Sequence, residues 1–372
     1  MGTPTSWLFG DAPDGRSMGT LTSGQLFGVR FDFFRFLLSS FVFRLSSLNC
    51  QLIYWLFDFY FLTLRQINLF VAMSEYHTPV LLEESVTSLA IKPSGTYADL
   101  TFGGGGHTRR ILEELGEGGA LYSFDQDRDT LANAPDDEHF HFVESNFRFL
   151  RSALRLRGVT EVDGILADLG VSSHHFDAKE RGFSFRGDAP LDMRMNQRGG
   201  RTAADIVNSY SEEELAAVLR QYGELETTWK IAACIARARA VEPITTTAQL
   251  VQAVAPCTPK KDESKFLTKL FQALRIEVNG EMEALKMALE QSLKVLKPGG
   301  RLVVISYHSL EDRLVKNFMR SGNFEGKVEK DFFGRATTPF EVVTRKPIVP
   351  TPEEEEANPR SRSAKLRVAI KL

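Results

Sequence analysis

The sequence lacks several features that assign a function at once. Its 372 residues include three cysteines, Cys50, Cys234 and Cys257, whose wide separation gives neither a CxxC site nor a disulfide framework. That usage is typical of a reducing compartment, and we expect the cytoplasm. The formal net charge of −3 excludes nucleic-acid binding by bulk positive charge but allows a local basic face.

Long uncharged apolar runs are also absent. Residues 1–72 are rich in phenylalanine, but charged side chains interrupt them at Arg35, Arg44, Asp58 and Arg65. The uncharged stretch 45–57 is shorter than the ~20 residues that cross a membrane as a helix. Three interpretations remain: sequence upstream of a true start at Met73, an organellar or membrane-associated leader, or a separate domain. We expect the first, with no confident fold for 1–72.

Apolar segments of strand length alternate with helical or loop segments in the rest of the chain. Strands are predicted at 97–102, 121–125, 140–144, 163–168, 301–306, 340–344 and 366–370. This alternation is typical of βαβ units around a parallel sheet. A long helix is predicted at 278–296, and the acidic run 353–356 is predicted to be a solvated loop.

The middle of the chain breaks this alternation. Strand patterns are absent between about 177 and 272, and helices are predicted at 203–209, 211–222, 228–240 and 247–255. We therefore predict an α/β fold in two parts, 73–176 and 273–372, separated by an all-helical insertion at 177–272.

Four consecutive glycines, Gly103 to Gly106, follow the first predicted strand. A dehydrogenase fingerprint fails there because Thr108 or Arg109 occupies the position of its last glycine, and no Gly-Lys-Ser/Thr follows as in a P-loop. Asp125 ends the next strand about 20 residues later, where an acid would hold a ribose. With a Leu-Lys-Pro-Gly-Gly turn before the late strand, this pattern indicates S-adenosylmethionine binding. The alternative is a tight turn with Asp125 as a helix cap.

Other polar residues follow the fourth and late strands. Asp168 ends the strand at 163–168, where ligands bind in open α/β sheets; it either faces the reacting centre or caps the next segment. His174-His175 and His308 are candidate ligand contacts because they lie in loops at this edge. His139 and His141 have no third ligand nearby, and we predict no metal site.

A basic and aromatic stretch follows Asp168. Its phenylalanines and arginines suit base stacking and phosphate contacts; they are Phe183, Phe185, Arg181, Arg186, Arg194, Arg198 and Arg201. A solvated loop is the alternative, and the position after the candidate active-site strand favours substrate contact.

Several blocks together resemble one family. They include Tyr76-His-Thr-Pro-Val-Leu-Leu-Glu-Glu84, Thr101-Phe-Gly-Gly-Gly-Gly-His107, Asp168-Leu-Gly-Val-Ser-Ser173, Glu180-Arg-Gly-Phe-Ser-Phe185, Pro190-Leu-Asp-Met-Arg-Met195, Phe271-Gln-Ala-Leu-Arg-Ile276, Ser306-Tyr-His-Ser-Leu-Glu-Asp-Arg313 and Asn358-Pro-Arg-Ser-Arg-Ser-Ala-Lys-Leu-Arg367. In this order they resemble the bacterial small-subunit (16S) ribosomal RNA cytosine-N4 methyltransferase family, also called MraW.

The resemblance implies a class I methyltransferase fold, Rossmann-like with a mostly parallel seven-stranded sheet, and a helical insertion on the substrate side. It implies S-adenosyl-L-methionine as cofactor and N4-methylation of a cytosine in the decoding centre of 16S rRNA, within the 30S subunit. We expect no DNA partner, and no membrane partner unless residues 1–72 are part of the protein. The implied cofactor residues are Gly105, Gly106, His107, Asp125 (ribose), Phe147 (adenine), Asp168 (reacting end and catalysis) and His175.

The chain departs from the family at two places. His174-His175 replaces the usual Pro-Gln, so the family's glutamine contact falls on His175. The segment 265–270 replaces a His-Pro-Ala-Thr-Arg-Thr block, so Lys265 and Lys269 would supply its RNA contact. The family begins shortly before Tyr76, which supports Met73 as the start.

Two other functions remain open from the sequence. A DNA amino-methyltransferase would carry Asp/Ser-Pro-Pro-Tyr/Phe where this chain has Asp168-Leu-Gly-Val. A non-catalytic RNA-binding or assembly factor could retain the cofactor fold, although the glycine loop, Asp125 and Asp168 are all intact.

Overall fold

The structure, a computed structural model, describes residues 79–170 and 181–372. The predicted start at Met73, residues 1–72 and His175 lie outside the described residues. The chain divides into two units, Met1–Glu75 and Tyr76–Leu372, and the described residues belong to the second. No helix among them is long and apolar enough to cross a membrane.

Seven strands form one sheet in the order β3-β2-β1-β4-β5-β9-β8. Their bounds are β1 Thr96–Asp99, β2 Ala120–Asp125, β3 Phe140–Glu144, β4 Val162–Asp168, β5 Leu296–Ser306, β8 Phe340–Val342 and β9 Lys365–Lys371. β1 to β5 pair in parallel, whereas β9 is antiparallel to both β5 and β8. This is the class I methyltransferase sheet, and the predicted fold class is confirmed. A separate two-stranded sheet joins β6 Glu329–Lys330 to β7 Ala336–Thr337.

The strand order fixes where a ligand can bind. The order reverses between β1 and β4, and open α/β sheets bind ligands outside the carboxyl ends of the strands at such a point. β1 ends there at Asp99 and β4 at Asp168. The apolar run Ile165-Leu166 is completely buried, as expected for a central strand covered on both faces.

Helices flank the sheet and form the segment between β4 and β5. Their bounds are α1 Leu82–Leu89, α2 Gly106–Leu112, α3 Leu150–Arg155, α4 Ala203–Ser209, α5 Glu212–Gly223, α6 Thr228–Val241, α7 Thr247–Val254, α8 Glu263–Asn279, α9 Glu281–Val295, α10 Ser309–Ser321 and α11 Pro352–Ala357. Side chains from Phe183 to Leu274 form a hydrophobic core of their own between β4 and β5. The helical segment therefore folds around its own apolar interior.

Three details differ from the sequence predictions. The expected boundary after Gln272 falls inside α8, which continues to Asn279. The predicted helix 278–296 is interrupted at Gly280, whose φ of +57° ends α8 before α9 begins. The acidic run 353–356 is helical and not a loop: Thr351 caps α11, and Glu354 Oε1 accepts a hydrogen bond of 2.8 Å from the backbone N–H of Leu81.

The cysteines also differ from expectation. Cys234 and Cys257 are joined as a disulfide, although 23 residues separate them in sequence. The pairing arises because α6 packs against the short 3-10 helix Ala255–Cys257 that follows α7. Nothing in the sequence spacing indicated this contact.

A substitution at Gly164 can test the packing of β4. A methyl group added there would lie 2.9 Å from Tyr97 ring carbons and 3.1 Å from Leu89 Cδ2. Overpacking a filled core costs about 1–3 kcal/mol, so we expect Gly164→Ala to lower the free energy of unfolding by that amount, measured by chemical denaturation.

Gly199 provides the matched control, because an added methyl group there meets nothing within 4 Å. Gly199→Ala is expected to change stability by less than about 0.5 kcal/mol. Equal stability of the two variants would contradict the packing of β4 against Tyr97.

Candidate active site

The glycine loop connects β1 to α2 at the carboxyl edge of the sheet. Gly103 and Gly105 have φ values of +49° and +74°, a region that glycine enters without steric cost. An added methyl group at Gly105 would lie 2.9 Å from Phe102 Cε2, and one at Gly106 would collide with the Pro79 ring. Backbone conformation and close packing therefore both require glycine here.

Asp125 holds this loop from the end of β2. Its Oδ2 accepts a 2.9 Å hydrogen bond from the N–H of Gly103, and its Oδ1 accepts one of 2.8 Å from the N–H of Asp127. An acidic side chain at the end of the second strand is the group that holds ribose hydroxyls in nucleotide-binding sheets. The carboxylate thus lies beside the glycine loop, where a ribose would bind.

A small cavity continues from Asp125 along the carboxyl ends of β2, β3 and β4. Gln126, Asn146, Phe147 and Leu169 line one side of it, and Asn146 Nδ2 donates a 2.7 Å hydrogen bond to Gln126 Oε1. The opposite side is mixed and includes Met195, Asn279, Glu281, Met282 and Leu285 from the segment between β4 and β5 and Glu311 from α10. The apolar side chains with the amide pair beside them suit a flat heterocycle such as adenine.

Asp168 lies at the end of β4 and is held by three neighbours. Tyr307, directly after β5, donates a 2.7 Å hydrogen bond from its hydroxyl to Asp168 Oδ1. The backbone N–H of Asp168 donates to Thr101 Oγ1 at 2.7 Å. His107 Nδ1 lies 3.8 Å from Oδ2, and the carboxylate keeps 24% of its side-chain surface exposed. Asp168 is therefore fixed in position yet accessible.

Burial raises the pKa of Asp168 to about 6, and the hydrogen bond from Tyr307 opposes this rise. Burial also raises the pKa of Asp99, and its nearby charge adds to the upward shift at Asp168. Asp99 is held by hydrogen bonds from Thr108 Oγ1 at 2.7 Å and from the N–H of Thr101 at 3.1 Å. Two carboxyl groups thus lie in one partly desolvated site, a pattern common in active sites.

The surroundings of His107 fix its protonation state. Burial lowers the pKa of His107, so the ring is neutral near pH 7. Its Nε2 lies 3.1 Å from the carbonyl oxygen of Val80, and a carbonyl can only accept, so Nε2 carries the proton. Nδ1 therefore presents a lone pair to Asp168.

The structure brings the predicted site residues together at one edge of the sheet. Gly105, Gly106, His107 and Asp168 surround the junction of β1, α2 and β4, Asp125 contacts the glycine loop, and Phe147 lines the adjoining cavity. Three residues that hold the carboxylates were not singled out from sequence: Asp99, Thr101 and Tyr307. Asp99 and Tyr307 carry the same signal that identified Asp168, a polar side chain at the carboxyl end of a strand.

The fold uses part of the basic and aromatic stretch for internal contacts. Arg181 is buried and donates to Asp127 Oδ2 at 2.7 Å, Arg194 pairs with Asp192 and Arg198 with Glu144. Arg201 stacks on Tyr210. The two phenylalanines, Phe183 and Phe185, belong to the helical core. Arg181 and Arg194 therefore hold the 181–201 segment in place. Arg186, Arg198 and Arg201 are exposed, and phosphate contact by these three stays a prediction.

His308 is used within the fold. Its side chain caps α10 by accepting from the N–H of Glu311, so Nδ1 carries the lone pair and Nε2 carries the proton. Nε2 lies 3.2 Å from Glu311 Oε1, but it forms no hydrogen bond within the described residues. Glu281, His308 and Glu311 are close enough to share a cation, but this tautomer offers no imidazole lone pair to one. The predicted ligand contact by His308 is therefore replaced by helix capping.

The raised pKa of Asp168 gives a stability test. The folded protein binds the proton of the Asp168 carboxyl group more tightly than the unfolded chain does. The contribution of this protonation to the free energy of unfolding is therefore complete below about pH 4 and is lost as the pH rises through about 6. Asp168→Asn keeps an acceptor for Tyr307 without the charge. We expect it to be more stable than the wild type by on the order of 2 kcal/mol at pH 7 and nearly equal at pH 4, measured by urea denaturation.

Asp163→Asn is the control of opposite sign. Burial raises the pKa of Asp163, but the hydrogen bonds from Lys297 and Thr96 outweigh this effect and hold the pKa below its usual value. This variant should therefore lose stability at pH 7 and approach the wild type in acid, as its carboxylate becomes protonated. A difference between Asp168→Asn and the wild type that did not change with pH would contradict the assigned environment of Asp168.

Comparison with known proteins gives the family. The MraW methylase family model matches residues 74–372. The chain is 60% identical over 80% of its length to a ribosomal RNA small subunit methyltransferase H from Parabacteroides distasonis, covering 98% of that protein. It is 54% identical, over 80% of its length, to the protein of the same name from Flavobacterium johnsoniae, again covering 98% of it.

Among solved structures, a putative rRNA-methylase from Clostridium thermocellum matches 79% of this chain and 98% of its own, with 13% identity. Its TM-score of 0.38 is too low to carry an argument. The family match needs no such support, and the glycine loop, Asp125 and the adjoining cavity fit a bound nucleoside. The chain belongs to the MraW methylase family, and its methyl donor is S-adenosylmethionine.

Proposed function

We propose that this protein methylates the exocyclic N4 of a cytosine in the decoding centre of 16S rRNA, which it meets within the 30S subunit. The observation that carries the proposal is the fixed and accessible carboxylate of Asp168 beside the glycine loop. The names of relatives up to 60% identical, which specify small-subunit ribosomal RNA, support the substrate class.

The proposal assigns the site residues as follows. Gly105, Gly106 and His107 line the methionine end of the cofactor, and Asp125 accepts hydrogen bonds from the ribose hydroxyls. Phe147 packs beside the adenine in the cavity at the ends of β2 to β4. His175, which lies outside the described residues, follows Asp168 in sequence and is proposed to contact the cofactor. The helical segment between β4 and β5 lies on the substrate side.

The chemical difficulty is the nucleophile. The lone pair of a cytosine amino group is delocalised into the ring, so the nitrogen attacks poorly. S-adenosylmethionine supplies a methyl group already activated on a positively charged sulfur. The remaining task of the protein is to localise the lone pair and to hold nitrogen, carbon and sulfur in line.

Asp168 suits that task through its second oxygen. Tyr307 occupies Oδ1, and within the described part of the chain no donor hydrogen-bonds to Oδ2. An N4–H that donates to Oδ2 would direct its nitrogen lone pair out of the ring plane, and the carboxylate would stabilise the positive charge that develops on nitrogen. The N–CH3 bond forms as the S–CH3 bond breaks, and the surplus N4 proton then leaves to Asp168 or water.

Product analysis tests the substrate and the position. Purified full-length protein with labelled S-adenosylmethionine is offered naked small-subunit rRNA, assembled 30S particles and DNA, and the labelled nucleoside is identified by mass spectrometry after digestion. We expect N4-methylcytidine from the ribosomal substrates. Label in DNA alone would support a DNA amino-methyltransferase, and label in none would support a non-catalytic assembly factor; each result would overturn the proposal.

Asp168→Ala separates catalysis from binding in the same assay. Loss of a transition-state hydrogen-bond partner typically costs about 10²–10³ in turnover, and we expect a fall of that order with cofactor affinity, measured by calorimetry, within a few-fold of wild type. Unchanged turnover in Asp168→Ala would remove the proposed role of this residue.

The pH dependence of kcat/KM provides a further prediction. The ionised Asp168 is the stronger acceptor for the N4–H and supplies the negative charge that stabilises the transition state. The rate should therefore rise with pH along an acidic limb at or below about pH 6, the pKa of this buried carboxyl. The hydrogen bond from Tyr307 lowers that pKa, so Tyr307→Phe should move the limb to higher pH. Tyr210→Phe removes a hydroxyl that donates to Glu277 in the helical segment, and its pH profile should match the wild type. An unmoved limb in Tyr307→Phe would contradict the assignment.

A further inference from the structure

The turn between α5 and α6 lies beside the proposed active site. Glu224, in this turn, accepts 2.7 Å hydrogen bonds from Ser309 and from Arg313. Both donors lie in the first two turns of α10, which begins three residues after the carboxyl end of β5 at Ser306. The helical segment is therefore held against the ligand-binding edge of the sheet at this turn.

A large aromatic side chain is exposed just after that turn. Trp229 lies in the first turn of α6 with 55% of its surface exposed. The apolar face of this helix, Ile231, Ala232 and Ile235, is completely buried in the helical core. Packing of α6 therefore does not use Trp229, whose ring is largely in contact with solvent.

Lysines lie on two segments that adjoin the start of α6. Lys265 and Lys269 are four residues apart on α8 and so share a face, and Lys269 Nζ donates a 3.2 Å hydrogen bond to the carbonyl of Glu224. Cys257 Sγ lies 3.4 Å from the carbonyl oxygen of Lys230, so the segment that continues to Lys260 and Lys261 starts beside the first turn of α6. Lys230, Lys260, Lys261 and Lys265 are exposed.

The local charge is opposite to that of the whole protein. These segments carry five lysines, at positions 230, 260, 261, 265 and 269. Three of their acids, Glu226, Asp262 and Glu263, form no ion pair within the described residues. The local charge is therefore 5 − 3 = +2, whereas the whole chain has a net charge of −3. Glu224 is neutralised by Arg313. These segments give a local excess of positive charge next to an exposed indole, which the net charge of the whole chain does not exclude.

We propose that Trp229 and Lys230, Lys260, Lys261, Lys265 and Lys269, hereafter the Trp229 surface, bind a single-stranded RNA segment that flanks the methylated base. The indole stacks on an unpaired base while the ammonium groups contact the phosphates on either side. This inference rests on the proposed function, because it assigns the flanking contacts of the same substrate.

The composition of the surface favours RNA over a protein partner. Protein interfaces are depleted in lysine and centred on clustered apolar side chains, whereas the Trp229 surface has one aromatic ring among exposed cations. Single-stranded nucleic acid combines π-faces with regularly spaced negative charges, and each matches one component of this surface. The turn at Glu224 connects the surface to the proposed active site, so one strand can reach both.

The test measures RNA affinity and methyl transfer for matched variants of the full chain. Trp229→Ala should weaken binding of a single-stranded rRNA fragment containing the target cytosine about 10-fold, and raise KM for RNA similarly, because one base–aromatic stack contributes ~1–3 kcal/mol. Trp229→Phe should recover part of this loss. kcat and cofactor affinity should stay at wild-type values, and thermal unfolding establishes that each variant is folded.

The lysines are tested through salt. The double variant Lys261→Ala/Lys265→Ala should reduce the slope of log affinity against log salt concentration by about 1.4, because each RNA phosphate that a lysine no longer neutralises removes ~0.7 from the slope on single strands. The controls lie on the β6–β7 hairpin, where Phe332 is 98% exposed. This hairpin precedes β8, whose Phe340 pairs with Lys371 at the end of the sheet opposite the site. Phe332→Ala and Lys327→Ala/Lys330→Ala should leave both affinity and slope unchanged.

Each result decides the inference. Wild-type affinity in both Trp229→Ala and the lysine double variant, with methylation intact, would overturn it and leave the proposed function standing. Tryptophan-dependent RNA binding without any methyl transfer would support the surface and sink the proposed function. A defect of the variants on 30S particles but not on naked RNA would assign the surface to a ribosomal protein and overturn the RNA contact.

Discussion

The hydrogen bond between the Tyr307 hydroxyl and Asp168 joins the ends of two neighbouring strands, β5 and β4, at the centre of the ligand-binding edge. A carboxylate that is mostly buried must be oriented by donors or it takes up a proton. Here one oxygen is committed to Tyr307 and the backbone N–H to Thr101, so the remaining oxygen has a fixed direction. His107 is neutral, so it supplies no positive charge to stabilise the ionised form of Asp168. The nearby Asp99 is a second buried carboxyl group. The site therefore holds its carboxyl group near the point of ionisation.

The cofactor side of the site follows from the same edge. Asp125 at the end of β2 fixes the glycine loop through Gly103, and the loop in turn positions His107 at the start of α2. Arg181 extends this connection to the helical segment, because its guanidinium bridges Asp127 Oδ2 and the carbonyls of Arg194 and Met195. Hydrogen bonds of Asp125 and Asp127, at the end of β2, thus connect the glycine loop to the helical segment.

Much of the fold could be predicted from local sequence. Strand alternation and the acids at strand ends identified the parallel sheet, Asp125 and Asp168, because these signals repeat over short distances. The features that the sequence did not predict depend on partners far apart along the chain. Arg181 donates a hydrogen bond to Asp127, which lies 54 residues earlier in the chain. Cys234 pairs with Cys257, and Tyr307 donates to Asp168, 139 residues earlier. Composition suggested an RNA-binding loop at 181–201, but two of its arginines, Arg181 and Arg194, face internal acceptors. Further exposed cations lie near Trp229.

The central claim is that Oδ2 of Asp168 receives the amino group of the target base. A crystal structure with S-adenosylhomocysteine and cytidine tests it directly. We predict that cytosine N4 lies within about 3.2 Å of Asp168 Oδ2, with the cofactor sulfur facing the nitrogen lone pair and Tyr307 still bound to Oδ1. A cytidine whose N4 contacts other groups, with Asp168 turned away from the base, would contradict it.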